Sequence, residues 1–426
     1  MTTEPIKNTD ISSPGILPQR QRAKIRNDWL KERLDTLLPE LMHLAKIDMW
    51  VVIAREYNED PVIMSLLPEP NMNARRRTML VFALTETGVE CLHIGKQKLK
   101  GYYKNVWEET SEKQFACLQR IIREKNPKTV GINVSHIFPF GDGLSHSLYL
   151  RLMEELGPFS RRIKSAEKLC VAWLETRIKP ELSVYPDLVN INHAIIREAF
   201  SRKVISPGVT TVDDVAWWMR QKITDLGLRA WFQPTVDLQA RDVTFSDENP
   251  RRTILPGDML HCDIGFSYLG LNTDNQQLAY VLKDGETDAP EGLKQALTAG
   301  NQLQDILAGT MKTGMTGNQI LKEARQNAKA AGLDPSIYTH PLGYHGHGAG
   351  PVIGLYDNQE GISGNGDYPL NEDTVYAIEL NVKRNIPEWG DQPVAIYLEE
   401  DAKWSNGELT FLGGRQKALH LIGPNA

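Results

Sequence analysis

Cysteine is scarce in this chain: four in 426 residues (Cys91, Cys117, Cys170 and Cys262), widely scattered and without a Cys-x-x-Cys pair. That spacing argues against a disulfide framework and a thiolate metal site, and favours a reducing, cytoplasmic compartment. Long apolar runs are missing as well; none approaches the roughly 20 residues that span a bilayer. The opening MTTEPIKNTDISSPGILPQRQRAK is polar and proline-bearing, without the apolar centre of a signal peptide. Nor is there an excess of positive charge. A formal net charge of −6 gives no reason to expect a nucleic-acid or membrane partner. What remains is a soluble globular composition, 41% hydrophobic and 24% charged, on a chain long enough for two cores.

Three segments are expected. Residues 1–24 read as a loose leader. From Asn27 the leucines at 30, 34, 37, 38, 41 and 44 recur at helical spacing, and MWVVIA (Met49 to Ala54) follows as a strand. TMLVFAL (Thr78 to Leu84) and VGINVS (Val130 to Ser135) suit further buried strands, the second after a helical stretch with Leu118, Ile121 and Ile122. Helices alternating with buried strands predict an α/β domain over 25–165. It holds no cluster of metal ligands or of nucleophile and base, and its Arg75-Arg76-Arg77 run reads better as solvated surface than as a substrate entrance.

In the third segment, 166–426, a repeat stands out. PGVTTVDDVAWWMRQKITDLGL (207–228) resembles TGMTGNQILKEARQNAKAAGL (313–333), each with a Thr N-cap ahead of an amphipathic helix that ends in Gly-Leu. A duplicated half predicts a sheet-and-helix unit of approximate twofold symmetry with its site between the halves. Between the copies lies LHCDIGFSYLGLNTDN (Leu260 to Asn275). Read as a hairpin turning at Tyr268 and Leu269, it sets Asp263 opposite Asp274 with both side chains on one face. Directly opposed Cβ atoms are about 4.5–5.5 Å apart, and two carboxylates there repel by several kcal/mol at an effective dielectric of about 20. A shared proton or a bound cation would relieve them.

The C-terminal third favours the cation. YTHPLGYHGHGAG carries His340, His345 and His347; VYAIELNV places Glu379 among apolar neighbours; AIYLEED brings Glu399. A carboxylate inside an apolar strand is costly unless its charge is held. Two Asp, one His and two Glu would suit two hard divalent ions, which activate water and stabilise a tetrahedral intermediate.

In this order and spacing the residues resemble the pita-bread metallopeptidases, which include methionine aminopeptidase, aminopeptidase P and prolidase. The resemblance implies an α/β and α+β protein: a creatinase-like N-terminal α/β domain followed by a pseudo-twofold pita-bread domain. It implies Asp263, Asp274, His347 (in GHGAG), Glu379 and Glu399 as ligands of two divalent ions, Mn²⁺ with Co²⁺ or Zn²⁺ as substitutes. His345 also fits the histidine ligand, and His340 matches an upstream substrate-contacting histidine. Glu379 is the implied proton shuttle, with His345 or His340 steadying the intermediate. The N-terminal domain favours the proline-peptide branch, hence an aminopeptidase acting on Xaa-Pro peptides, and a homodimer. The alternatives are a prolidase-type dipeptidase, another amide hydrolase, or an inactive pita-bread binding module. Three departures separate the chain from the pattern. No histidine occurs in DLQARDVTFSDENPRR (Asp237 to Arg252), the later histidine is absent near Asp357 and Asn358, and Tyr397 stands where an arginine is usual.

Overall fold

The computed structural model describes residues 15–243 and 252–423. Most of the expected leader and much of the 237–252 stretch therefore lie outside the described residues. The chain divides into two compact units, the first over Leu17–Ile178 and the second from Lys179 onward. The first helix begins at Gln19, inside the segment expected to be a leader. The first unit also runs past 165, because Glu167–Glu175 forms a helix that packs on Leu38–Ala45.

The first unit is built on a six-stranded sheet. Its order is Lys104–Asn105, Gly88–Ile94, Arg77–Thr85, Met49–Arg55, Val130–Ile132, Ile163–Ser165. Met49–Arg55 runs antiparallel to Arg77–Thr85 and parallel to Val130–Ile132. One face buries Val51, Ile53 and Val81 under Phe115, Leu118 and Ile122 of the helix Gln114–Lys125. The strand expected over 130–135 stops at Ile132. The next residue, Asn133, turns its buried amide to Asp60, donating at 2.7 Å, and accepts from the Trp50 indole at 2.7 Å.

The second unit carries four small sheets and two pairs of helices: Lys179–Ala199 with Val212–Asp225, and Glu291–Thr310 with Gly317–Ala330. The repeated segments fold alike. Thr211 and Thr316 each cap a helix N-terminus in a reciprocal capping box, with Asp214 and Gln319 answering. Both helices close through Gly227 and Gly332 at positive φ, with Leu228 N–H reaching Ile223 O and Leu333 N–H reaching Ala328 O, each at 3.0 Å. Both capping threonines also bridge to an approaching chain, Thr211 to Thr253 and Thr316 to Pro369. Ten residues beyond those bridges stand Asp263 and Glu379. The two copies thus deliver acidic residues from equivalent places.

Replacing Thr211 or Thr316 by Ala should each cost about 1 kcal/mol, the usual worth of an N-cap, with nearly additive loss in the double variant. Urea denaturation of the single and double variants measures this. An unchanged midpoint in both singles would show that these boxes do not hold the helices.

Candidate metal centre

The hairpin between the two copies folds with a register different from the expected one. Tyr268 pairs with Leu271, so the turn is Leu269–Gly270, with φ of 55° and 81° at the two central residues. Two successive left-handed residues make the tight turn that suits the twist of antiparallel strands, and Gly270 takes the second without a Cβ penalty. The consequence is a shift of two along the ladder: Asp263 lies opposite Gln276, and Asp274 sits diagonally. Because the shift is even, Asp263 and Asp274 still share a face.

Breaks in the strands place the other candidates. VYAIELNV is expected as one strand but is two, Thr374–Ala377 and Leu380–Ile386, which belong to different sheets, with Glu379 in the gap. Gln392–Leu398 and Asp401–Ser405 are separated in the same way, with Glu399 and Glu400 between them. Asp274 precedes Asn275–Val281, and His340 opens His340–Leu342 just after Pro335–Ile337 ends.

Those side chains meet in three overlapping triads: Asp263, Asp274 and Glu399; His340, Glu379 and Glu399; Asp274, His340 and His347. Within each triad the potential ligand atoms lie within 4.8 Å of one another. His340 Nε2 is 3.6 Å from Asp274 Oδ2 and 3.4 Å from Glu399 Oε1. Asp263 Oδ1, Asp274 Oδ1, His340 Nε2 and Glu399 Oε1 are all buried without a hydrogen-bond partner. Buried polar atoms normally have one. No lysine or arginine pairs with these carboxylates among the described residues. The donor set, carboxylate oxygens with an imidazole, fits hard divalent cations.

Burial drives the electrostatics, and the mutual repulsion of the carboxylates adds to it. The carboxyls of Asp263, Asp274 and Glu379 are held well above the usual range by desolvation and by Glu399, and Glu399 itself is pushed up to about 8 by burial. Burial pushes the His340 imidazole down to about 4, which keeps it neutral and able to ligate.

The sequence-expected residues separate as follows. Asp263, Asp274, Glu379 and Glu399 come together. His340, expected as a substrate contact, joins two of the three triads, whereas His347, expected as the ligand, joins one and is exposed. The His347 ring stands perpendicular to His340 at 4.7 Å and edge-on to Trp231 at 5.3 Å. His345 enters no triad. Asp357 and Asn358 lie in a turn closed by Leu355 and outside the triads.

Several neighbours were missed. Trp231 donates from Nε1 to Thr273 O at 2.9 Å and lies so close to Gly346 that a Cβ there would meet its ring at 2.4 Å. Tyr338 packs on both His340 and His347, at 5.3 and 6.0 Å. Behind the triads, Glu400 accepts from Gln277 at 2.8 Å and Asn275 at 3.2 Å, and its carboxylate lies 2.6 Å from His193 Nε2. Asp401 accepts from the Asp274 backbone N–H at 3.1 Å. The available signal was NQQ at the head of a strand buried along its whole length. Polar residues at consecutive buried positions require partners on both faces.

The comparisons with known proteins agree with this geometry. The sequence model of metallopeptidase family M24 matches residues 187–403, half of the chain. Among solved structures, the fold is similar to an X-Pro aminopeptidase from Thermotoga maritima at TM-score 0.64 and 16% identity, covering 90% of this chain and 100% of that one. It is also similar to an Xaa-Pro dipeptidase from Bacillus anthracis at 0.61 and 15%, covering 94% and 99%. A dipeptidase from Pyrococcus horikoshii follows at 0.60 and 15%, covering 91% and 99%. At these identities the structures establish the shared pita-bread fold. Comparison with curated proteins gives no significant match.

The raised carboxyl pKa values fix the sign of a pH effect. In metal-stripped protein the folded state keeps protons that the unfolded chain releases, so the site's contribution to stability is complete below about pH 4. It is lost as pH rises through the folded values, up to about 8 for Glu399. The melting temperature of metal-stripped protein should therefore fall between about pH 5 and pH 8. Added divalent cation should restore it and release protons, which calorimetry in two buffers of different ionisation enthalpy detects. Metal uptake without proton release would contradict this electrostatic picture.

Proposed function

The chain belongs to metallopeptidase family M24, and from that premise we propose that it is a two-metal aminopeptidase that removes the N-terminal residue from peptides with proline in second place. The observation that carries the proposal is the set of unpartnered ligand atoms on Asp263, Asp274, His340 and Glu399, joined by Glu379, at one buried point. Asp263, Asp274, His340, Glu379 and Glu399 would hold the pair of ions, Mn²⁺ by preference. Bound there, the pair supplies Lewis-acid and water-activating chemistry.

The remaining chemistry falls to side chains. Glu379 is partly exposed and has one oxygen, Oε1, held by Gln276 Nε2 at 2.9 Å. Its Oε2 takes the proton from the attacking water and passes it to the leaving amine. His347, exposed beside His340, is the imidazole that meets the substrate. Trp231, Tyr338 and His347 form an aromatic surface at the triads. Such a surface suits the flat, apolar proline ring. With Tyr397 where an arginine is usual, we read the substrate as a longer peptide in preference to a free dipeptide, whose carboxylate calls for a cation.

Two measurements test this. Asp274→Ala and Glu399→Ala should each lose at least one metal equivalent and reduce kcat/KM more than about 100-fold. Full activity in metal-free preparations of both would end the proposal. A panel of Xaa-Pro-Xaa tripeptides and Xaa-Pro dipeptides, assayed with Mn²⁺ for released amino acid, should favour the tripeptides. Preference for the dipeptides would make the protein a prolidase, and no turnover despite two bound metals would make it a binding module.

A further inference from the structure

Gln276 occupies the position that the expected register gave to an aspartate's opposite number, and its side chain is fully committed. It is 4% exposed. Nε2 lies 2.9 Å from Glu379 Oε1 and 2.9 Å from Glu399 Oε2. The amide Oε1 is 2.8 Å from His261 Nε2. Backbone pairing ties the same residue to the same glutamate, Gln276 N–H to Glu399 O at 3.0 Å and Glu399 N–H to Gln276 O at 3.2 Å.

These contacts determine their own polarity. Nε2 donates to Glu379 and to Glu399, so both of its hydrogens are spent on the two glutamates. The amide oxygen then faces His261, whose Nε2 must donate to it. The reversed amide would aim an oxygen at two carboxylates. His261 thus sets which way the amide points, and the Tyr397 ring packs on it at 5.3 Å. Glu379 and Glu399 arrive on different segments, each at a gap between strands of different sheets. Among the described residues Gln276 donates a hydrogen bond to both, and Glu399 keeps Oε1 unpartnered on its other side.

We propose that Gln276, oriented by His261, is a positioning residue that clamps Glu379 and Glu399 into ligand geometry before any metal arrives. The inference rests on the metal-centre reading above. It assigns Gln276 and His261 no contact with substrate. Because the clamp holds one oxygen of each glutamate, it leaves Glu379 Oε2 and Glu399 Oε1 as the free oxygens.

The test is Mn²⁺ binding by the metal-stripped full-length protein, followed by calorimetry, with bound metal counted by elemental analysis after dialysis. Gln276→Met keeps the length and removes the donors. It should weaken Mn²⁺ binding by about 10- to 100-fold, the usual effect of losing a partner of a ligating group. His261→Leu leaves the amide free to turn and should weaken binding in the same direction by less. The double variant should bind no worse than Gln276→Met alone, since His261 acts only through the amide. Two residues acting on the metal centre independently would give additive losses.

Melting temperatures of the metal-stripped variants check that each folds. Should Gln276→Met fail to fold, His261→Leu carries the test, because both donors remain. Wild-type protein binding two Mn²⁺ with unchanged affinity in Gln276→Met, or additive losses in the double variant, would overturn the clamp and leave the metal centre standing. Wild-type protein that takes up no metal would overturn both.

Discussion

Asp263, Asp274, Glu379 and Glu399 repel one another, and the second unit is built so that they cannot move apart. Two unit charges about 4 Å apart at an effective dielectric of 20 interact by about 4 kcal/mol; Asp263, Asp274 and Glu399 meet in one triad, and Glu379 shares another with Glu399. The backbone holds them there regardless. Asp274 is fixed by its N–H to Asp401, and Glu399 by two backbone hydrogen bonds to Gln276. The fold gathers a cluster whose repulsion protons relieve in part, as the raised carboxyl pKa values record. Burial comes first among the causes of those raised values, and the mutual repulsion adds to it.

The duplicated architecture explains why the charges come in two pairs. Each copy contributes a capped helix, a bridge from its capping threonine, and then a strand that carries an acid ten residues on: Asp263 in one, Glu379 in the other. A second acid stands just ahead of the returning strand, Asp274 before Asn275 and Glu399 before Asp401. The isolated bridge between Gln276 and Glu399 joins the two copies. A site between two like halves receives ligands from both, and neither half could gather four carboxylates on its own.

Much of this was legible because it is written in local pattern. The capping threonines, the Gly-Leu helix ends and the two aspartates eleven residues apart are short-range signals, and all appear in the fold. What was not legible lies where short-range pattern gives no reading. The hairpin turn was placed one residue early, since Leu269 adopts a left-handed conformation that an apolar residue does not advertise. That single step put Gln276 where Asp274 was expected. The strand through Glu379 looked continuous because a change of sheet leaves no mark on alternation. The strand Gly88–Ile94 went unseen because Glu90 and His93 interrupt its apolar run.

The histidines show most clearly how geometry alters a motif reading. Glycine-rich surroundings drew attention to His347, since backbone freedom often accompanies a site. Ligation asks for a different property: a neutral ring with no competing partner, close to several carboxylates. His340 has it, being buried, with Nε2 unpartnered and within 3.6 Å of two acids. His347 faces outward between Trp231 and Tyr338. Tyr397 is a departure with a structural explanation. It packs on His261, whose Nε2 lies 2.8 Å from the Gln276 amide oxygen, and an arginine there would bring a cation against that imidazole. The exchange of a charged side chain for an aromatic one fits a centre whose glutamates are held by a neutral amide.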